Sequence, residues 1–106
     1  WAYQDKPEMT EQLLAEYVKA GKANNAPVLP AGLAFANSIK VRPELNLYAA
    51  DKRHPSLAGT YLAACVVMAS LFKQNPVGNA YTAGLAPDVA QHLQRVAWDT
   101  VKGFKQ

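Results

Sequence analysis

From Leu57 to Phe72 the chain carries Leu57, Tyr61, Leu62, Cys65, Val66, Met68, Ala69, Leu71 and Phe72, and no charged residue at all. Wound as a helix, this stretch is apolar nearly all round, so its neighbours must cover it on most sides. That requirement restricts the fold more than any other feature, because such a helix belongs in the middle of a domain. Gly59 and the alanines Ala58, Ala63 and Ala64 leave room for another element to approach closely. The most apolar part, residues 62–72, is too short to span a bilayer.

The remaining segments supply what could surround it. Residues 1–4 (Trp-Ala-Tyr-Gln) read as the tail of a strand, broken by Asp5-Lys6-Pro7. Thr10 is a good N-cap for an amphipathic helix of about four turns with Leu13, Leu14, Tyr17, Val18 and Gly21 on one face, ended by Asn24-Asn25. Residues 26–32 are short, apolar and flanked by Pro27 and Pro30, which suits a brief strand at a sheet edge. Residues 33–41 have Phe35, Ala36 and Ile39 at helical spacing, and Pro43 stops that helix. Residues 45–50 read as an extended connection, and Pro55 fits the first position of the central helix. Asn75-Pro76 ends it, residues 77–86 form a turn-rich loop, and Pro87 opens a last helix striped with Val89, Leu93, Val96, Ala97, Val101 and Phe104. Alternation of this kind predicts an α/β layer fold, mostly helical by content, with one or two short strands.

With 106 residues the chain makes one domain, residues 1–106, and its 50% hydrophobic and 18% charged residues argue against disorder. The net charge is +3, and the basic residues are scattered among helix faces and loops, which speaks against nucleic-acid binding. Cys65 has no partner for a disulfide and reads as a small buried hydrophobe. No signal peptide is visible. The chain opens on Trp1 with no methionine, so an upstream segment is expected.

The chemistry lies just before the central helix, in Asp51-Lys52-Arg53-His54-Pro55-Ser56. A carboxylate three residues from an imidazole can accept one ring N–H and leave the other nitrogen free to act as a general base. Pro55 stiffens the backbone directly after the histidine. The same spacing also fits an Asp51 that caps the helix and a His54 that is an exposed loop residue.

The run, with Leu47-Tyr48 before it and Gly59 to Ala64 after it, resembles the last block of the SGNH (GDSL-type) esterases and acylhydrolases. Residues 28–32 look like the penultimate strand of those enzymes. The family-like portion covers residues 1–74, while residues 75–106, a loop and C-terminal helix, read as an extension. The resemblance implies the C-terminal part of a three-layer α/β/α, flavodoxin-like domain. It further implies a serine hydrolase that cleaves carboxylic esters, carbohydrate acetyl esters among them, through an acyl-enzyme. His54 would be its general acid/base and Asp51 its orienting partner. The family's Gly-Asp-Ser block and the glycine and asparagine of its oxyanion hole are absent; the serines are Ser38, Ser56 and Ser70 alone. By itself the chain is therefore expected to be inactive, its nucleophile coming from a missing N-terminal segment or a second chain.

Among the aromatic residues Trp1, Tyr3, Tyr48, Tyr81 and Trp98, Tyr48 is the best candidate for substrate contact because it leads into the dyad. His92 reads as a helix-edge surface residue, and Asp51, His54 and His92 are too poor a set for zinc, so neither metal nor cofactor is expected. The alternative to the hydrolase is a non-catalytic helical domain that forms a homo-oligomer through uncovered apolar surface.

Overall fold

In the computed structural model, which describes residues 1–106, four helices form the whole regular structure: α1 (Met9–Asn24), α2 (Ala31–Val41), α3 (Leu57–Leu71) and α4 (Pro87–Gly103). The apolar stretch is α3, and it lies at the centre. Its most extensive packing is with α4, and α2 touches both, while α1 packs on α2 alone. Leu62 and Val66 of α3, Phe35 of α2 and Leu93 of α4 are fully enclosed in one apolar cluster with Leu47, Tyr48 and Tyr61. Cys65 also lies in this cluster, where burial pushes its thiol up to about 11. The covering of α3 is less complete than its composition suggests. Leu57, Val67, Leu71 and Phe72 remain exposed, because α1 is spent on α2 and does not reach α3.

The expected α/β architecture is overturned. There is no sheet, and the only β-type pairing is an isolated antiparallel bridge between Tyr48 and Pro55. Both segments read as strands turn their bonding groups elsewhere. Gln4 N–H donates to Lys52 O, and Tyr3 O accepts from Lys6 N–H. Val28 N–H donates to Gln106 Oε1, and Val28 O accepts from Gln106 Nε2, so one side-chain amide satisfies the whole residue. Leu29 O accepts from Ala31 N–H, and the flanking prolines have no N–H to give. With its groups satisfied locally, neither segment builds a ladder, and the α/β/α layering gives way to helix on helix.

Helix ends differ from expectation in detail. α1 starts at Met9 behind Glu8, with no side-chain cap, so Thr10 lies inside the helix. Asn25 closes it in the left-handed conformation (φ 50°), a role asparagine tolerates. Ser56, not Pro55, sits at the N-cap of α3, accepting Gly59 N–H at 3.2 Å, which leaves Pro55 free to bridge to Tyr48. Pro87 does open α4, but the fully buried face runs through Ala90, Leu93, Gln94 and Ala97. Gln94 is tolerated there because its amide is spent on Gly78 N–H, Asn79 O and Tyr61 Oη, which ties the loop before α4 to α3.

One contact sets the position of the loop that carries Asp51 and His54. A side chain at Gly59 would bring its Cβ to 2.2 Å from Leu47 O. Glycine alone lets the loop strand cross α3 there, where Leu47 O accepts Ser56 N–H at 2.9 Å.

Candidate active site

The loop between Leu47 and Ser56 is a narrow excursion closed by its own backbone. Ala49 N–H donates to His54 O at 2.8 Å, and Lys52 N–H donates to Ala49 O at 3.0 Å. At its tip Lys52 is left-handed, with φ at 64°. Asp51 folds back over the residues that follow it, as short acidic side chains do in turns. Its Oδ1 accepts the N–H groups of Arg53 and His54, each at 3.0 Å, and its Oδ2 pairs with His54 Nδ1.

These bonds decide the proton arrangement. The His54 ring, then the Arg53 and His54 backbone N–H groups, hold the Asp51 carboxyl well below the usual carboxylate range. An ionised carboxylate only accepts hydrogen bonds, so the proton between the two lies on Nδ1. In the neutral ring Nε2 then keeps its lone pair, and it has no hydrogen-bond partner within the chain. The His54 side chain is 81% exposed and that of Asp51 47%. Neither residue lines the four principal cavities, so the pair stands on an open surface. Such an arrangement can take a proton at Nε2 and stabilise the resulting imidazolium, provided another surface brings the proton donor to it.

Tyr48 is set apart from this pair. It is only 4% exposed, its hydroxyl donates to Ala2 O at 2.7 Å, and its ring meets Phe35 edge-on with centroids 5.7 Å apart. Burial pushes its phenol up. Asp51 and His54 are thus brought together, while Tyr48 props the loop from the core side.

No serine of the chain is presented to His54. Ser56 Oγ donates to Asn46 O and accepts Gly59 N–H, so it is occupied as a cap. Ser70 is at the far end of α3, about 20 Å along the axis at 1.5 Å per residue, with its hydroxyl buried and unpartnered. Ser38 is fully enclosed, and its Oγ lies 2.9 Å from His92 Nε2. His92 is therefore no plain surface residue: it is half-buried between α4 and α2. Burial and then the Arg42 charge hold it below the usual imidazole range, against a smaller opposing effect of Glu44. No three of the chain's His, Cys, Asp and Glu side chains gather as a metal-holding group.

Two contacts at the site carried no signal in the spacing of residues. Trp1 Nε1–H donates to Arg53 O at 2.8 Å, and the Arg53 guanidinium lies 4.7 Å over the Tyr3 ring. Both join segments fifty residues apart in the sequence. The aromatic character of residues 1–3 was the only hint that they pack on something.

Comparison with known proteins adds nothing to this geometry: no family model, no curated protein and no solved structure matches the chain. No helix is long and apolar enough to cross a membrane.

Proposed function

We propose that the Asp51–His54 loop is the acid–base half of a serine hydrolase acting on carboxylic esters, with acetyl esters of sugars among its substrates. The observation that carries this reading is the His54 ring, with Nδ1 held by an ionised carboxylate and Nε2 unpartnered at the surface. In the reaction, His54 Nε2 takes the hydroxyl proton of a serine as its oxygen attacks the ester carbonyl. The resulting imidazolium, steadied by Asp51, gives that proton to the leaving alcohol as the carbon–oxygen bond breaks. Water then enters by the same route: Nε2 takes its proton, the hydroxyl oxygen displaces the serine, and the serine recovers the proton. On this reading the serine comes from another polypeptide segment, since Ser56 is occupied as a helix cap and Ser38 and Ser70 are buried away from His54, and that segment supplies the oxyanion-hole donors with it.

By itself the chain hydrolyses an activated ester no faster than its His54→Ala variant. The decisive experiment is fluorophosphonate labelling of a native preparation, read by intact mass. An adduct on a serine of an accompanying or longer polypeptide, lost in His54→Ala, supports the reading. If no His54-dependent adduct forms anywhere in that preparation, the hydrolase is ruled out.

A second reading has its own observation. Val67, Leu71 and Phe72 are exposed at the end of α3, and Phe72 is 64% accessible. A non-catalytic helical domain that associates with a second copy would cover them. Light scattering on Phe72→Ser separates the two: a dimer in the parent chain that dissociates in the variant favours association, and a monomer in both excludes it.

A further inference from the structure

The imidazole of His54 is largely exposed, and its side-chain partner is the Asp51 carboxylate on Nδ1. Its position depends on the backbone beneath it and on Asp51. That backbone is held in an unusual way. Lys52 occupies the left-handed region, which a β-carbon disfavours, so the turn persists only where other contacts hold it. Three successive carbonyls supply those contacts. Lys52 O accepts Gln4 N–H at 2.9 Å, Arg53 O accepts Trp1 Nε1–H at 2.8 Å, and His54 O accepts Ala49 N–H at 2.8 Å. Two of the three donors come from the first four residues.

Those four residues are themselves anchored to the core. The Trp1 ring stacks flat on Phe35, with centroids 4.8 Å apart and planes 3° from parallel. Ala2 O accepts the Tyr48 hydroxyl at 2.7 Å, and Ala2 is buried. Between these anchors Tyr3 carries the Arg53 guanidinium on its ring at 4.7 Å, an arrangement that favours one placement of the arginine. Phe35 is fully buried, so the rigidity of the core passes through Trp1 to the peptide just before His54.

We propose that residues 1–4 are a strap that positions His54, with Trp1 as its principal positioning residue. The indole N–H fixes the Arg53 peptide, which keeps the imidazole within reach of Asp51 and leaves Nε2 free. Trp1 takes no part in bond making. The catalytic consequence rests on the acid–base role proposed above, whereas the effect on the ring does not.

The test compares the His54 ring by NMR in the parent chain, in Trp1→Phe and in Trp98→Phe. Phenylalanine keeps an aromatic ring on Phe35 but removes the N–H donor with part of the stacked area, and Trp98→Phe makes the same change away from the loop. In Trp1→Phe the Nδ1 proton exchanges with water about fivefold faster, the effect of one lost hydrogen bond, and the ring nitrogens shift toward a mixture of tautomers. Trp98→Phe matches the parent. An unchanged exchange rate and tautomer in Trp1→Phe would overturn the strap. If amide shifts in α4 show that Trp1→Phe disturbs the fold, Tyr3→Leu replaces it, since it removes only the ring beneath Arg53. Faster exchange there supports the strap, and unchanged exchange overturns it. With the serine-bearing polypeptide, Trp1→Phe lowers kcat and leaves KM alone. Faster exchange in Trp1→Phe with no His54-dependent fluorophosphonate adduct in the native preparation would overturn the hydrolase and keep the strap. Unchanged exchange overturns the strap whatever the activity.

Discussion

The two histidines of this chain carry the same ring into opposite surroundings. His54 stands on an open loop with a carboxylate on one nitrogen and nothing on the other. His92 is wedged between α4 and α2, with Nε2 against the enclosed Ser38 hydroxyl and with Arg42, Glu44 and Asp88 around it. At His54 the neighbour is a carboxylate that holds Nδ1 and leaves Nε2 open at the surface. At His92 burial and a nearby cation oppose protonation, so the ring serves as a neutral hydrogen-bonding strut. The lesson is that a histidine's surroundings set what its second nitrogen meets, and here the first ring leaves Nε2 open at the surface while the second bonds across two helices.

Exchanging these roles by mutation gives the sharpest tests. The largest effect is expected from His54→Ala. With the serine-bearing polypeptide it lowers kcat/KM by about a thousandfold or more, while chemical denaturation moves by less than about 0.5 kcal/mol, because the side chain is exposed. A comparable loss of rate with Asp51→Asn would show that the carboxylate orients the ring; a variant with full activity would dismiss it as a mere turn residue. Next comes Gly59→Ala, which forces a Cβ into Leu47 O and displaces the loop from α3. It should cost about 3 kcal/mol in urea unfolding, as overpacking of a closed contact does. His92→Ala leaves the Ser38 hydroxyl buried without its partner and is expected to cost about 2 kcal/mol with no direct effect on proton transfer. Equal stability of His92→Ala and the parent chain would erase the contrast between the two rings.

The smallest effect is a pH dependence. The folded His92 titrates below its ordinary value of 6.5, so the unfolded chain binds the proton more readily. Its contribution to stability is present above pH 6.5 and is lost as the pH falls through the lowered folded value. Melting curves of the parent chain should therefore decline over that window more steeply than those of His92→Gln. Parallel declines would mean that other groups carry the acid sensitivity.

Much of the helical order was readable from composition and punctuation. The uncharged stretch became the central α3, Asn25 and Pro87 mark helix ends as their backbone preferences dictate, and Asp51 meets His54 because three residues of turn suffice to join them. The strand assignments failed for a reason local patterns do not contain. Val28 lies between Pro27 and Leu29 as an edge-strand residue would, and Gln4 sits in a turn closed by Lys6 N–H on Tyr3 O; their own N–H groups go to Gln106 and Lys52, residues distant in sequence. Ser38 with His92 and Trp1 with Arg53 were hidden likewise, since each pair exists only after the helices have packed.

The enclosed Cys65 has a practical corollary. With its sulfur out of reach and its thiol held near 11, it stays silent toward maleimides at neutral pH. Any cysteine introduced on the exposed loop, for instance Lys52→Cys, would then be the only thiol to take a dye or spin label. The chain thus comes ready for single-site spectroscopy of the segment that carries His54.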